Sequence, residues 1–412
     1  MIPSVRQRYN QLFTIGKYED FLADLNGSYN FKIKFRVAET PIFIPRPFKE
    51  KLIQASDEII GFLVRNDFKT LTENAIPKGF FVPAETDHPH FLALDYAVVK
   101  DEKGELLPQL IELQGFPSLF GFQDFLGSKF RQHFDIPTDF SNHFGWSSEV
   151  YRAKLKRILL GNCQPENVVL LEIDPYEQNT AIDFIITQQL TGIRPVHLGD
   201  VRRDGRRLFY PVKNEWVPIH RIYNRVIFDE LVKREDLKLP HPSTNWENGP
   251  VPPRRFHLTE EVDVEWAGHP NWFYRVSKFA MPFMKSTYVP ECRFLNEFTS
   301  FPDDLENYVL KPLFSFSGSG IVFHPTQKDV EAIPVSERGN FLLQRKVQYA
   351  PIIQAPDGLV KAEIRLLFLW EEGKARPELV TNLARLSRGE MIGVKFNKDK
   401  TWVGGSVCFF EP

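Results

Sequence analysis

Cysteine is scarce in this chain: Cys163, Cys292 and Cys408 are all there is in 412 residues. Three cysteines so far apart exclude a disulfide framework and any zinc-knuckle spacing. Neither sign of charge is in excess: 51 Lys and Arg stand against 53 Asp and Glu, a formal net charge of −2. Without a basic surplus to neutralise a phosphate backbone, nucleic acid is not the expected partner. No apolar run approaches the length of a membrane span. The opening MIPSVRQRYNQLF lacks the basic-then-apolar pattern of a secretion signal. Low-complexity tracts and internal repeats are missing too. These absences read as a soluble, cytoplasmic chain with no nucleic-acid or membrane partner.

What is present is bulky and stiff. Aromatic residues make up 14% of the chain, 37 of them Phe, alongside 31 Pro, which suggests Phe-rich sheets joined by rigid loops. The length calls for two or three packed lobes. The first, residues 1–150, opens with a short helix and FKIKFRVAETPIFIP, which alternates like a strand. An amphipathic helix follows from RPFKEKLIQASDEIIGFL, then two strands, FLALDYAVV and LPQLIELQ, around a charged turn. Residues 151–255 alternate strand, helix and strand (VVLLEI, NTAIDFIITQQLTG, IRPVHLGDV), the pattern of a parallel α/β layer. VRRDGRR reads as a surface hairpin turn, and HPSTNWENGPVPPRR as a lobe boundary or lid. Residues 256–412 begin with a helix around NWFYRVSKFAMPFM. The strand NFLLQRKVQYA, a long hairpin ending in NLARLSRG and a last strand KTWVGGSVCFF then make a mainly antiparallel sheet.

Four groups carry candidate chemistry. In YVLKPLFSFSGSGIVF a strand delivers Lys311 to a pliable loop, whose Ser317, Gly318, Ser319 and Gly320 can turn backbone N–H groups toward an anion. The Walker spacing is missing, and a surface lysine before a flexible turn fits the segment equally well. Gln344, Arg345, Lys346 and Val347 lie on a strand that can present its edge to a purine, or can be an ordinary amphipathic strand. Asp95, Glu112 and Gln114 lie near strand ends, the last two on one face. Hard oxygen ligands from adjacent strands suit magnesium, and an acidic, solvated sheet edge is the other reading. Lys278, Arg365, Arg385 and Arg388 are the basic group, with Glu363 and Arg365 sharing a strand face on which they can pair.

VLKPLFSFSGSGI resembles the lysine strand and phosphate loop of ATP-grasp enzymes, and more narrowly of the circularly permuted and glutathionylspermidine synthetase-like groups. LALDYAV…LIELQGFPSL is similar to their metal segment, an Asp strand followed by a Glu-x-Asn-type strand. VVLLEIDPYEQNTAIDFIITQQLTGIRPVHLGDV resembles their pre-ATP-grasp lobe, PIHRIYNRV the segment that closes it, and NLARL through KDKTWVGG the permuted C-terminus. The order of these segments is more specific than any one of them. Three positions depart: Gln114 stands for the usual Asn, Ala93 for an arginine two positions before the Asp, and the loop is rich in Ser and Phe where relatives carry charge.

The resemblance implies an α+β ATP-grasp fold in circularly permuted order with an inserted α/β pre-ATP-grasp lobe. It further implies an ATP-dependent carboxylate–amine ligase that forms an amide through an acyl phosphate. Its partners would be small-molecule carboxylate and amine substrates, peptide-like ones among them. ATP and Mg2+ would be the cofactors, with Asp95, Glu112 and Gln114 on the metal. Lys278, Lys311 and the 317–320 loop would lie on the phosphates, Gln344 to Val347 at the adenine, and Arg385, then Arg365 and Arg388, at the acyl phosphate or substrate carboxylate. The alternative is a nucleotide- or ligand-binding descendant without turnover.

Overall fold

The computed structural model describes residues 1–237, 254–314, 320–389, 392 and 397–412. The first and last thirds of the chain share one antiparallel sheet. Its strands lie in the order Gly404–Ser406, Glu378–Ser387, Gly358–Leu369, Phe91–Lys100 and Leu106–Gln114, with Pro351–Ala355 paired to Gly358–Leu369. The strand pleat sorts its two faces. Leu92, Leu94, Tyr96 and Val98 point to a core shared with Ile364, Leu366 and Phe368 and with helices Arg46–Leu63 and Phe120–His133. The opposite face begins apolar, with Phe91, Ala93, Leu367 and Leu369 in a second core. It turns polar at Asp95.

One irregularity decides which residues of the edge strand join that polar face. Asp95 stands opposite Glu112 while Tyr96 stands opposite Leu110, so Ile111 is an extra residue in a β-bulge. The bulge keeps Glu112 and Gln114 beside Asp95 and still lets Leu110 reach the core.

The expected parallel layer is present, in the order Glu265–Ala267, Arg221–Asn224, Val168–Glu172 and Arg194–His197. Both its faces are covered, as its continuous apolar strands require. Val168 and Leu170 pack with helices Ser148–Leu160 and Ala181–Thr191, and Val169 and Leu171 pack on the other side. VRRDGRR forms the expected hairpin, Arg202–Asp204 with Arg207–Val212, turning at Gly205. A small antiparallel sheet has Phe341–Arg345 between Cys292–Phe294 and Tyr308–Pro312. One of its faces is apolar, with Leu295, Leu305, Tyr308, Leu310, Val330 and Leu343. By register, Lys311, Cys292, Leu342 and Gln344 share the other face.

Several expected elements come out differently. FKIKFRVAETPIFIP yields only the three-residue strand Ile42–Ile44, parallel to Cys408–Phe410, because Pro41 and Pro45 bracket it. NWFYRVSKFAMPFM breaks into Asn271–Arg275 and a 3-10 turn, Lys278–Phe283, with Ser277 capping the second piece and Pro282 inside it. The strand in NFLLQRKVQYA stops at Arg345, leaving Lys346 and Val347 beyond it. KTWVGGSVCFF splits into two short strands. Most of the 241–255 linker lies outside the described residues, and only Arg254–Arg255 is seen, paired with Arg202 and Arg203. Among the described residues no helix is long and apolar enough to cross a membrane.

Gly115 links the edge strand to the segment after the parallel sheet. Its N–H donates to the Val276 carbonyl, and a Cβ there would lie 2.6 Å from the Trp272 carbonyl oxygen and 2.9 Å from Val276 Cβ. Because the obstacle is backbone, Gly115→Ala should destabilise the protein by about 1–3 kcal/mol, the usual cost of overpacking. A urea denaturation midpoint that does not move would show that the two segments are not held this tightly.

Candidate functional site

The polar face is built around Asp95. Arg365 sits directly opposite in the neighbouring strand, and its guanidinium grips the carboxylate with two N–H donors, Nη2 to Oδ2 at 2.6 Å. Arg385, from the next strand over, donates to the same Oδ2 and is 2.6 Å from Glu363 Oε1. The Tyr349 hydroxyl donates to the other Glu363 oxygen at 2.6 Å. The expected pairing of Glu363 with Arg365 along one strand therefore does not form; each pairs across the sheet instead, because cross-strand neighbours are closer than alternate residues of one strand. Burial pushes the Asp95 carboxyl up, but Arg365 and Arg385 more than offset it and hold it below the usual carboxylate range. For Glu363 burial wins over Arg385, with the Asp95 charge adding to it, and its carboxyl is pushed up.

The lysines arrive from elsewhere in the chain. Lys278 Nζ lies 3.8 Å from Glu112 Oε1, and Lys311 reaches across from the small sheet to the carbonyl of bulge residue Ile111, one long hydrogen bond at 3.4 Å. Both are buried. Burial, opposed by Glu112 and reinforced by Lys278, lowers the Lys311 ammonium to about 8. Lys311 also interacts with Glu363, and Arg385 with Glu112, so the two sheets enclose one electrostatic cluster. Its cations are Lys278, Lys311, Arg365 and Arg385, facing the carboxylates of Asp95, Glu112 and Glu363, with Asp229 also acting on Lys278. Gln344 shares the face of Lys311 and is buried, its Oε1 without a partner. An orphaned buried acceptor invites a donor from a ligand.

Other expected residues go elsewhere. Arg345 turns outward to Asp304 at 2.6 Å, and Lys346 donates to the Glu306 carbonyl and contacts His324. Val347 is half-buried just past the strand. Arg388 pairs with Asp357 at the turn between Ala355 and Gly358, away from Asp95. Ser317, Gly318 and Ser319 lie outside the described residues. Gly320 is exposed, with a positive φ of 75°.

A second patch escaped sequence reading. At the carboxyl ends of the parallel strands, Arg225 is buried with Nε and Nη1 unpartnered, its guanidinium stacked 4.7 Å above Phe116 and 5.3 Å from Phe184. Phe116 follows Gln114 by two residues, so this patch adjoins the edge of the charge cluster. Asp183 accepts from the Phe122 N–H at 2.8 Å at the start of helix Phe120–His133, and its other oxygen is buried without a partner. Glu172 ends its strand beside them, and burial, only partly opposed by Arg225, pushes its carboxyl up to about 8. The Tyr274 hydroxyl is also buried without a partner. Ligands of open parallel sheets bind at this edge, and an unpaired buried guanidinium suits a carboxylate. The available signal was the strand-terminal Asn-Arg after an apolar run, in PIHRIYNRV.

Magnesium takes six oxygens, usually including one or two carboxylates. Asp95 is 1% exposed with both oxygens held by guanidinium donors. Glu112 faces Lys278 on one oxygen and the Gln114 amide N–H, 3.2 Å away, on the other. Among the described residues no group of three His, Cys, Asp or Glu side chains is placed to hold a metal ion. As arranged, Asp95, Glu112 and Gln114 do not make a magnesium site. The cluster does fit a polyanion.

No protein-family model matches the chain, and no curated protein does. Among solved structures, the chain is similar to the apo form of a glutathione synthetase-like effector from Globodera pallida. The match has 11% sequence identity and a TM-score of 0.57, and covers 100% of this chain and 99% of that one. The fold is thus glutathione synthetase-like, a mixed helix-and-sheet architecture over its whole length.

Two titrations follow from the site. Because Lys311 loses its proton at about 8, affinity for an anionic ligand should fall as pH rises past that value, at most about tenfold per unit. Lys311→Arg, always charged, should flatten the profile in calorimetric titrations. Folded Glu172 keeps its proton to about 8, whereas an unfolded Glu releases it near roughly 4.3. The unfolded state is therefore favoured as pH climbs through that window. Glu172→Gln should melt close to wild type at the acid end and increasingly above it toward pH 8. A constant difference across the range would show that Glu172 is not held protonated.

Proposed function

We propose that the chain is an ATP-dependent ligase that joins a carboxylate to an amine. The observation that carries this reading is the gathering of buried Lys278, Lys311 and Arg365 and half-buried Arg385 from separate segments, with Lys311 making a single long hydrogen bond. Holding such charges out of water is costly unless an anion joins them. A nucleotide polyphosphate supplies that anion, and the orphaned Gln344 Oε1 can accept from the exocyclic amine of adenine. Arg225, stacked on Phe116 with Nε and Nη1 unpartnered and its charge shared with Glu172 and Asp183, would hold the substrate carboxylate.

In the reaction a carboxylate oxygen of the substrate attacks the γ-phosphorus and the bond to ADP breaks. Lys278 and Lys311 neutralise the equatorial oxygens as charge spreads over them. The amine nitrogen then adds to the acyl carbon, phosphate leaves, and the nitrogen gives up one proton, so no side-chain nucleophile is required. Likeness to a glutathione synthetase-like fold supports the ligase class. The circularly permuted order and the lobe boundaries near 150 and 255 remain part of this proposal.

A second reading, nucleotide binding without turnover, is favoured by one observation: Asp95 is committed to Arg365 and Arg385. Mixing the protein with ATP and panels of amino acids and amines separates the two. Release of ADP together with an amide detected by mass spectrometry is expected. A phosphate ester in its place would indicate a kinase, and ATP binding without product would favour the second reading. Lys311→Ala should weaken ATP binding by about 1–3 kcal/mol, the range for a charge-assisted contact. Unchanged affinity would remove Lys311 from the site.

A further inference from the structure

We infer that this cleft recognises its nucleotide polyphosphate without a divalent cation, the Arg365 guanidinium on Asp95 holding positive charge where an ion would otherwise be needed. The inference rests on the nucleotide reading and says which form of the ligand is bound. Register makes the case first. Arg365 is the residue directly opposite Asp95, in the middle of the sheet, so its guanidinium lies on the polar face by backbone geometry and needs no loop to bring it there. It is 6% exposed and holds Asp95 through both oxygens, and a planar guanidinium is always charged. Asp95 therefore has no oxygen left for a cation. Glu112, the other carboxylate of the edge, already faces an ammonium and an amide N–H.

Charge balance points the same way. Four cationic side chains face Asp95, Glu112 and Glu363, with Asp229 acting on Lys278, and burial pushes the Glu363 carboxyl toward its neutral form, so the fixed cations repel an entering dication and attract an anion. Donor capacity is available too. Arg385 is about a third exposed at its side chain, 36%. Its buried Nε has no partner. An anion placed here would take hydrogen bonds from Arg385 and Lys311 and leave the Asp95–Arg365 pair intact beneath it.

The test is calorimetric titration of the full chain with ATP, once in EDTA and once in excess magnesium. Affinity in EDTA within about threefold of that in magnesium is expected, because protein cations already neutralise the phosphates. Binding only with magnesium, or at least about tenfold tighter with it, would overturn the inference while leaving the nucleotide reading standing. No binding in either buffer would overturn both. Manganese alone, followed by the loss of its free-ion paramagnetic resonance signal, should show no saturable uptake; stoichiometric uptake would overturn the inference directly. Arg365→Leu removes one cation while Arg385 still holds Asp95, and should lose about tenfold or more in metal-free ATP affinity. Arg365→Lys, which keeps the charge, should lose less. Folded variants, checked by circular dichroism, that bind ATP in EDTA as wild type does would overturn the role given to Arg365.

Discussion

Asp95 sits in the middle of the antiparallel sheet, 1% exposed, as an ionised carboxylate held by two guanidinium groups from the next two strands. A buried charge of this kind persists only if its partners are placed well, because desolvation otherwise drives it to the neutral form. The rest of the polar face is arranged to meet that demand. Arg365 is supplied by register, Arg385 bridges Asp95 to Glu363, and Tyr349 closes the second oxygen of Glu363. Removing one member leaves another charge buried alone, which is why such pairs are costly to break, at roughly 3–5 kcal/mol.

The same constraint explains why the two sheets face each other with lysines between them. Arg365 and Arg385 answer Asp95 and Glu363, and Lys278 and Lys311 face Glu112, with Asp229 also acting on Lys278. Glu112 is held in reach by the Ile111 bulge, which also frees the carbonyl that Lys311 touches. Burial, with Lys278 adding to it, lowers the Lys311 ammonium to about 8. A fold similar to a glutathione synthetase-like effector thus carries a centre in which arginine charge is permanent and lysine charge is adjustable.

The parallel layer is tied to this centre by short links. Gly115 allows the edge strand to run against the Trp272 carbonyl, Phe116 carries the Arg225 guanidinium, and Asp183 caps helix Phe120–His133 from the layer's own helix. The buried atoms without partners in Arg225, Asp183 and Tyr274 belong to this layer and the segment after it.

Much of this was legible in the amino-acid order. Two apolar runs around a charged turn marked the strands around Asp95, the strand–helix–strand spacing marked the parallel layer, and a lysine before a pliable loop marked a candidate anion site, because those signals are local. The composition also excluded disulfides and zinc. What the order of residues left open was decided by register and burial. A one-residue bulge placed Glu112 beside Asp95. Cross-strand pairing gave Asp95 to Arg365 and Glu363 to Arg385, and sent Arg345 and Arg388 outward to acids of their own. Arg225 drew no attention as one arginine after an apolar strand, and became a candidate only when packing buried it on Phe116 without a partner. Residue type and local spacing determined which groups were present. Only the tertiary fold, by choosing which charges are desolvated together, decided which of them remain available to a ligand.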